Sequence, residues 1–484
     1  MFNFLLSEAA KLANAVTIGK DVMTDNDFIV NEIKDFEHSP KRRMMIDGEK
    51  YYQGQHDILK RKRTVIGENG QLEEVKNLPN NRIVDNQYKK TVDQKNNYLL
   101  GKPITINCEN EQLTKELGQI FNKRFQRMMK GIGEDSLNCG IGWLYVYYNE
   151  YGEIAFKKIK PFEVIPGWKD AEHTVLDYAI RIYEVVVYEK KQEKVVRKVE
   201  VYDEQGINYF EYNDGVLKAV EPYFQNYFTM TEDGKEVGYN WTRIPLIPFK
   251  YNAKEIPLIQ MVKSLQDGLN TIESNFQNAM EEDTRNTILV VKNYDGENLA
   301  EFRKNLAALG AVKVRTVDGS QGDVGTLNIE VNSDNYKAIL EIFKKAIIEN
   351  AMGYDAKDDR LAGNPNQMNI QSMYSDIDLD ASNMETEYQA AFEDLLWFVK
   401  CHLANTGVGD FEDEKVDVIF NRDMLISESE IIANCQQSVG LLSDETIIAM
   451  HPWVNDPLAE LEKLKKQKEE DVNQYQNAFP MNNI

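Results

Sequence analysis

The stretch LIQMVKSLQDGLNTIESNFQNAMEEDTR, residues 258–285, decides the fold of this 484-residue chain. Its apolar residues recur in alternating steps of four and three, the spacing of a packed helical seam. The seam consists of Leu258, Val262, Leu265, Leu269, Ile272, Phe276 and Ala279. A helix over this stretch would be about 40 Å long. We expect its other faces to be wet, because they carry Gln266, Asp267, Asn270, Glu273, Gln277, Glu281 and Glu282.

A second amphipathic helix is predicted from about Asp334 to Met352. Its inward positions are Tyr336, Leu340, Phe343, Ile347 and Ala351. Between the two helices lies a small mixed insert, with a strand at TILVVKNY, a helix and a strand, a glycine-rich turn at DGSQGDVG and a strand at TLNIEVN. Because the two helices flank this insert, they should lie antiparallel and form a stalk with a knob at its far end.

A third long helix is predicted over about 369–404. Its apolar face consists of Ile370, Met373, Ile377, Met384, Tyr388, Ala391, Leu395 and Val399. The segment before it, GYDAKDDRLAGNPNQ (353–367), has too many helix breakers to be helical and too few apolar residues to be core. KVDVIFNRDM is predicted as a last strand and is followed by a helical tail, where Ser443 resembles a helix cap.

The first half of the chain is strand-rich from Trp143 to about Val220. WLYVYYNEYGEIAFKKI predicts a hairpin, and the text that follows alternates Val, Ile, Tyr and Phe with charges, as in a meander. TVIGENGQLEEV predicts another hairpin with Asn69-Gly70 at its tip. Strands and helices together indicate an α+β protein.

Composition excludes some classes of protein. The net charge of −23 repels nucleic acid on average and argues against a protein that coats DNA. The four cysteines form no C-x-x-C pair, so free thiols are expected. No signal peptide or spanning segment is recognisable, which predicts a soluble, cytosolic product.

Several stretches resemble phosphate-binding or metal-binding motifs but lack residues that those motifs require. In YLLGKPITI (98–106) Pro103 stands where a phosphate loop needs Ser or Thr, so Gly101 marks a helix stop. DIDLDASNMETE (376–387) imitates a calcium loop but has Ala381 where glycine is needed. The five histidines are scattered, and the acidic pair Asp358-Asp359 has no second cluster nearby. We therefore predict no metal, no cofactor and no catalytic residues.

Several stretches in order along residues 41–469 resemble the portal proteins of tailed phages of the siphophage type. They are YYQGQHDI, NNRIVDNQYKKTVDQKNNYLLGKPI, FEVIPGW, RIPLIPFKYN, DGLNTIESNFQN and LLSDETIIAMHPWVNDPLAELEKL. The resemblance implies a ring of about twelve subunits at one capsid vertex. It also implies a portal fold with a mixed wing, long antiparallel stem helices, a small α/β clip insert and a helical crown.

On this resemblance the chain divides into nine segments. They are an N-terminal arm (1–36), wing (37–255), stem helix (256–286), clip (287–333), second stem helix (334–352), tunnel loop (353–368), long helix and return strand of the wing (369–426), crown (427–470) and flexible tail (471–484). The stem would pack through Leu258, Val262, Leu265, Leu269, Ile272 and Phe276. The residues that would face DNA in the tunnel loop are Lys357, Asp358, Asp359, Arg360, Asn364, Asn366 and Gln367.

The resemblance further implies a non-enzymatic protein of the virion that is assembled in the host cytoplasm. Its partners would be other copies of itself, double-stranded DNA, the terminase large subunit, capsid and scaffolding proteins and head-completion adaptors. Two alternatives stay open: a metal-dependent DNA-processing enzyme with an acidic site, and a helical scaffold that binds only protein.

Overall fold

The computed structural model of the chain describes residues 25–66, 70–75, 78–189, 191–232, 235–283, 288–292, 323–327, 333–355, 367–422, 428–454, 460–461 and 463–467. Helices and strands are mixed along these ranges, which confirms the α+β class. No helix in them combines the length and the apolar character that crossing a bilayer requires.

Two helices open the described part: α1 (Asp25–His38) and α2 (Pro40–Tyr52). Ser39 caps α2, because its side chain accepts a hydrogen bond from the amide of Arg42. α1 packs an apolar face on the large sheet, and Ile33 on that face is fully buried. Residues 1–24 of the predicted N-terminal arm (1–36) lie outside the described residues.

Short strands and three capped helices follow. Their bounds are a 3-10 turn (Asp57–Lys60), β1 (Thr64–Ile66), β2 (Leu72–Glu74), α3 (Gln87–Leu100), β3 (Thr105–Cys108), α4 (Glu111–Ile120) and α5 (Lys123–Cys139). β1 and β2 pair as the predicted hairpin. The Gly-Lys-Pro stretch ends α3 as predicted, but Gly101 keeps a right-handed backbone with φ −72. The stop therefore comes from Pro103, which cannot continue a helix, and not from a left-handed glycine.

Antiparallel strands make up most of residues 141–250. They are β4 (Ile141–Tyr148), β5 (Ile154–Ile159), β6 (Val164–Trp168), β7 (Leu176–Glu189), β8 (Gln192–Asp203), β9 (Gly206–Asn213), β10 (Val216–Gln225), β11 (Phe228–Glu232), β12 (Lys235–Tyr239) and β13 (Leu246–Lys250). The predicted meander forms a five-stranded sheet in the order β10-β9-β8-β7-β6. The predicted hairpin of β4 and β5 gains β13 as a third strand, and β11 pairs with β12.

The paired long helices come next. The bounds are α6 (Ile259–Asp283), β14 (Ile288–Lys292), β15 (Asp323–Leu327) and α7 (Ser333–Asn350). The rings of Phe276 and Tyr336 lie 4.7 Å apart, and Gly268 lies against the ring of Phe343. From Gly268 to Phe276 the residue numbers increase along α6, while those of their partners on α7 decrease from Phe343 to Tyr336. The two helices therefore run antiparallel, as predicted. β14 pairs with β15, which begins at Asp323 and overlaps the predicted turn.

A 39-residue helix, α8 (Gln367–Asn405), runs through the core. All eight residues of its predicted apolar face are buried. Phe249 of β13 packs on two aromatic rings of α8, at 5.0 Å from Tyr388 and 5.8 Å from Phe392. The predicted last strand, β16 (Val416–Ile419), pairs with β3. The calcium-like stretch lies inside α8, so it is helix and not loop.

The described tail contains α9 (Glu428–Gln437) and α10 (Asp444–Ala449). Ser443 caps α10 by accepting a hydrogen bond from the amide of Thr446, as the sequence predicts. The four cysteines are free, also as predicted.

Gly140 offers a direct test of the junction between α5 and the segment that leads into α6. Its φ is +84, and a Cβ atom would lie 2.1 Å from the carbonyl oxygen of Glu255. We expect Gly140→Ala to lower the free energy of unfolding by about 2–4 kcal/mol, measured by urea denaturation. The control is Gly152→Ala, where φ is +75 but nothing lies within 4 Å; it should cost about 1 kcal/mol. Equal losses in both variants would contradict a rigid contact at Glu255.

Candidate assembly site at the paired helices

α6 holds residues 81–88, which lead into α3 and include its first two residues, through a row of buried polar side chains that we call the polar ladder. Its members are Gln266, Asn270, Ser274 and Asn278, all buried and spaced four residues apart. They accept hydrogen bonds from the backbone amides of Tyr88 (3.0 Å), Asp85 (3.1 Å), Ile83 (3.0 Å) and Asn81 (2.7 Å), respectively. The ladder therefore satisfies amide groups that no strand pairs within the described residues.

The expectation that Gln266 and Asn270 face solvent is wrong. Both residues are fully buried, because the segment 81–88 covers them. The signal in the sequence was the repeat of uncharged polar residues at every fourth position beside the apolar seam. That repeat is compatible with a solvated face as well, so it does not identify its partner segment by itself.

His56 also binds the polar ladder, through Asn270. Its Nε2 donates to the carbonyl oxygen of Tyr51 (3.0 Å), and its Nδ1 accepts from Asn270 Nδ2 (2.7 Å). These two bonds require a neutral imidazole with the proton on Nε2. Burial lowers the pKa of His56, which favours the same neutral form.

Acidic residues on α6 also have partners within the chain. Lys263 donates to Asp57 (2.6 Å) and to Asp267 (3.1 Å). Lys344 of α7 lies 2.7 Å from Asp85 and 3.6 Å from Glu273, so it joins the two paired helices to the held segment. The predicted wet acidic face is therefore partly neutralised; Gln277 is exposed as predicted, and the side chain of residue 282 lies outside the described ones.

The predicted packing residues lie on the seam to different depths. Leu258, Val262 and Leu269 are fully buried, whereas Leu265, Ile272 and Phe276 are half-buried. Ile272 and Phe276 are the last two of these six residues along α6, whereas half-buried Leu265 precedes buried Leu269. Along the apolar seam, burial within one chain is thus complete at Leu258, Val262 and Leu269 and incomplete at the other three positions.

The described start of the predicted tunnel loop is attached to α3. Lys95 is almost fully buried, and its ammonium donates to Asp380 of α8 (2.6 Å) and to the carbonyl oxygen of Met352 (3.2 Å). Gln94 donates to the carbonyl oxygen of Tyr354 (3.1 Å), whose ring stacks on Tyr374 at 4.5 Å. Burial lowers the pKa of Lys95, and the charge of Asp380 opposes that shift.

The candidate DNA-facing residues lie almost entirely outside the described part of the chain. Lys357, Asp358, Asp359, Arg360, Asn364 and Asn366 lie outside the described residues. Gln367 is the first residue of α8, and only its backbone is described. In the described ranges no group of three or more His, Cys, Asp or Glu side chains could hold a metal ion.

Glu255 fixes the start of α6 to the sheets. It is buried with φ +54, and its carboxylate accepts hydrogen bonds from Lys41 and from His173 Nδ1 (2.8 Å). Burial alone would raise its pKa, but these two hydrogen bonds outweigh burial and lower the pKa to about 2. α2, the turn before β7 and the residues that lead into α6 meet at this one carboxylate.

Comparison with known proteins identifies the family. The sequence matches the family described as phage portal protein, SPP1 Gp6-like, over residues 32–474. The portal protein of Bacillus phage SPP1 is 30% identical over 465 residues, which span 95% of this chain and 89% of that protein. This chain belongs to the phage portal protein family.

A second relative agrees with the assignment. The portal protein of Clostridium phage phiCD119 is 26% identical over 435 residues, which cover 88% of this chain and 92% of that protein. The predicted resemblance is thereby confirmed. Membership in the portal family implies a structural role in an oligomeric ring of the phage capsid, and the polar ladder and paired helices belong to such a subunit.

The polar ladder predicts that replacing one of its four residues lowers the free energy of unfolding substantially. Asn270→Leu leaves the amide of Asp85 and the Nδ1 atom of His56 buried without partners. We expect urea denaturation to show a loss of about 2–4 kcal/mol in the free energy of unfolding. The matched control on the same helix is exposed Gln277→Leu, which should change stability by about 0.5 kcal/mol or less. A harmless Asn270→Leu would mean that the ladder does not hold segment 81–88.

The lowered pKa of Glu255 predicts a pH-dependent stability. Because the pKa falls from 4.5 to about 2 on folding, the stabilisation is present above pH 4.5 and is lost as pH falls toward 2. Glu255→Gln should lower the free energy of unfolding at pH 7 by about 3 kcal/mol, and the difference should shrink below pH 4.5. Glu172→Gln, at an exposed acid, is the control. A difference that stays constant from pH 7 to pH 3 would refute the assignment.

Proposed function

We propose that about twelve copies of this chain form a ring at one vertex of a phage capsid. The central hole of the ring is the channel through which double-stranded DNA enters during packaging and leaves during ejection. The observation that supports this proposal is the antiparallel pair α6 and α7. The polar ladder fixes α6 between Gln266 and Asn278, and α7 exposes the apolar side chains of Ile339 (41%) and Ile342 (64%). Such a rod leaves apolar surface for a neighbouring copy.

The remaining parts take the roles that the family membership suggests. Residues 287–333 form the clip, which docks the terminase large subunit, and later the head-completion adaptors bind the same ring. Residues 37–255 form the wing and residues 427–470 the crown, close to capsid and scaffolding proteins. The ring assembles in the host cytoplasm and performs no covalent chemistry, so the ATPase is a separate protein.

The channel must let DNA slide, which needs weak contacts. Basic side chains that contact phosphates release counterions and bind tightly. The net charge of −23 disfavours such binding overall. We propose that the segment 353–368 lies on the bore and supplies the few contacts that remain, with Arg360 among them.

Negative-stain electron microscopy of the purified chain tests the ring. Rings with a central hole are expected, and a monomer under all conditions would contradict the proposal. A monomer that cleaves DNA only with magnesium would instead favour a DNA-processing enzyme, and a non-cleaving monomer a protein scaffold.

A substitution tests the place of the loop. Arg360→Ala should leave ring formation intact and reduce the amount of DNA packaged in a reconstituted reaction, because it removes a contact in the bore. Arg124→Ala, at an exposed arginine on α5, serves as the matched control and should package normally. Loss of rings in Arg360→Ala would contradict the position of this loop on the bore.

A further inference from the structure

Two neighbouring side chains of α3 hold the backbone of the chain just after α7. The ammonium of Lys95 donates to the carbonyl oxygen of Met352 (3.2 Å). Gln94 Nε2 donates to the carbonyl oxygen of Tyr354 (3.1 Å). These are the residues from which the segment 353–368 starts, so α3 contacts this segment where it leaves the paired helices.

Gly353 is buried between the two contacts. A Cβ atom at this position would lie 3.6 Å from Gln94 Oε1 and 3.6 Å from Thr91 Cγ2, so the backbone of Gly353 lies against the same face of α3. Three consecutive residues, 352–354, therefore contact α3 through backbone atoms. Such a contact fixes the path of the chain more than it depends on the side chains that the chain carries there.

The backbone of Met352 is strained. Its φ is +50, in the left-handed region that residues other than glycine rarely adopt. The amide of Met352 donates to the carbonyl oxygen of Glu349 (3.1 Å) and that of Gly353 to the carbonyl oxygen of Ile348 (2.9 Å), so the strained residue closes the last turn of α7. Strain of this kind persists only where the surroundings hold it. Lys95 supplies such a contact, and the helix dipole favours its charge at this end of α7.

Lys95 makes the contact from a buried position. Only 2% of its side chain is exposed, and its ion-pair partner is Asp380 of α8 at 2.6 Å. The second carboxylate oxygen of Asp380 accepts a hydrogen bond from the hydroxyl of Tyr251 (2.8 Å). A buried ion pair adds little stability over apolar residues of similar size, because both charges lose their water. The backbone contact at Met352 is therefore a better reason for this ammonium than stability.

We propose that Lys95 is a positioning residue for the segment 353–368. Its ammonium fixes the point at which this segment leaves α7, and with it the place where the segment meets DNA in the bore. Gln94 and Thr91 support the same point from one turn of α3. This inference rests on the proposed function and deepens it. Lys95 is buried and acts only through Met352.

Hydrogen exchange of the assembled rings, read by mass spectrometry on peptides that contain residues 350–355, tests this role. Lys95→Met should speed exchange there by about tenfold or more, as expected for the loss of one charge-assisted hydrogen bond. Gln94→Leu removes the second donor without leaving a buried charge and should speed exchange at the same peptides. Lys90→Met is the matched control, because it removes an exposed lysine from the same helix and should change nothing.

A double variant separates positioning from stability. Lys95→Met leaves the charge of Asp380 buried without its ion-pair partner, which should lower the urea midpoint of unfolding. Lys95→Met combined with Asp380→Asn removes that charge as well, so the midpoint should return toward its starting value. Exchange at residues 350–355 should stay fast, because the carbonyl of Met352 still lacks its donor. Rings of the double variant should package less DNA than unaltered rings in a reconstituted reaction.

Three results would overturn the inference. They are unchanged exchange at residues 350–355 in Lys95→Met and Gln94→Leu, exchange that recovers together with the midpoint in the double variant, and normal packaging by a double variant whose exchange is fast. Each of them would leave the proposed function standing, since rings would still be present. Absence of rings in the unaltered chain would contradict both proposals, so the two failures are distinguishable.

Discussion

The polar ladder on α6 is the interaction on which the rest of the structure depends. Residues 81–86 have no strand partner among the described residues and lead into the first turn of α3, so the amides of residues 81–88 that face α6 must find partners there. α6 supplies four acceptors at four-residue spacing, so the segment can sit in one register only. A network of this kind specifies geometry more than it adds stability, because each unmatched bond would leave a buried polar group. The direction of α6, and with it that of α7 and the insert, follows from this register.

α3 links the polar ladder to α8, the third long helix of the fold. It begins at Gln87, within the held segment, and its Lys95 contacts Met352, just after the end of α7, and Asp380 of α8. The backbone at Met352 and the carboxylate of Asp380 are thereby fixed to a single ammonium group. Because a buried charge is costly without a partner, loss of either contact would weaken the other. Lys95 thus fixes the position of the paired helices relative to α8. In the sequence, the segment 353–368 connects α7 to α8.

Helices whose apolar residues recur on one face were predicted correctly from the sequence. Contacts with a segment far away in the chain were missed. The apolar residues of α8 recur with a helical period, so its burial followed from the sequence. The seam of α6 followed in the same way, and so did its antiparallel packing on α7. Burial of Asn270 did not follow, because its partner Asp85 is far away in sequence and an uncharged amide suits water equally well. The predicted start of β15 lies too far along the chain, because Gly325 is typical of a turn. In the structure Gly325 belongs to the strand and pairs with Val290 of β14.

Net charge proved a poor guide to local charge. The residues on the outer face of α6 predicted a wet acidic surface in keeping with the net charge of −23, yet Asp267 and Glu273 both lie beside lysines of the same chain. Copies of so acidic a subunit repel one another at long range, and salt screens that repulsion beyond about 10 Å. Contacts between copies must therefore rely on uncharged surface and on local pairs of opposite charge. The half-buried residues Ile272 and Phe276 near the end of α6 offer the first.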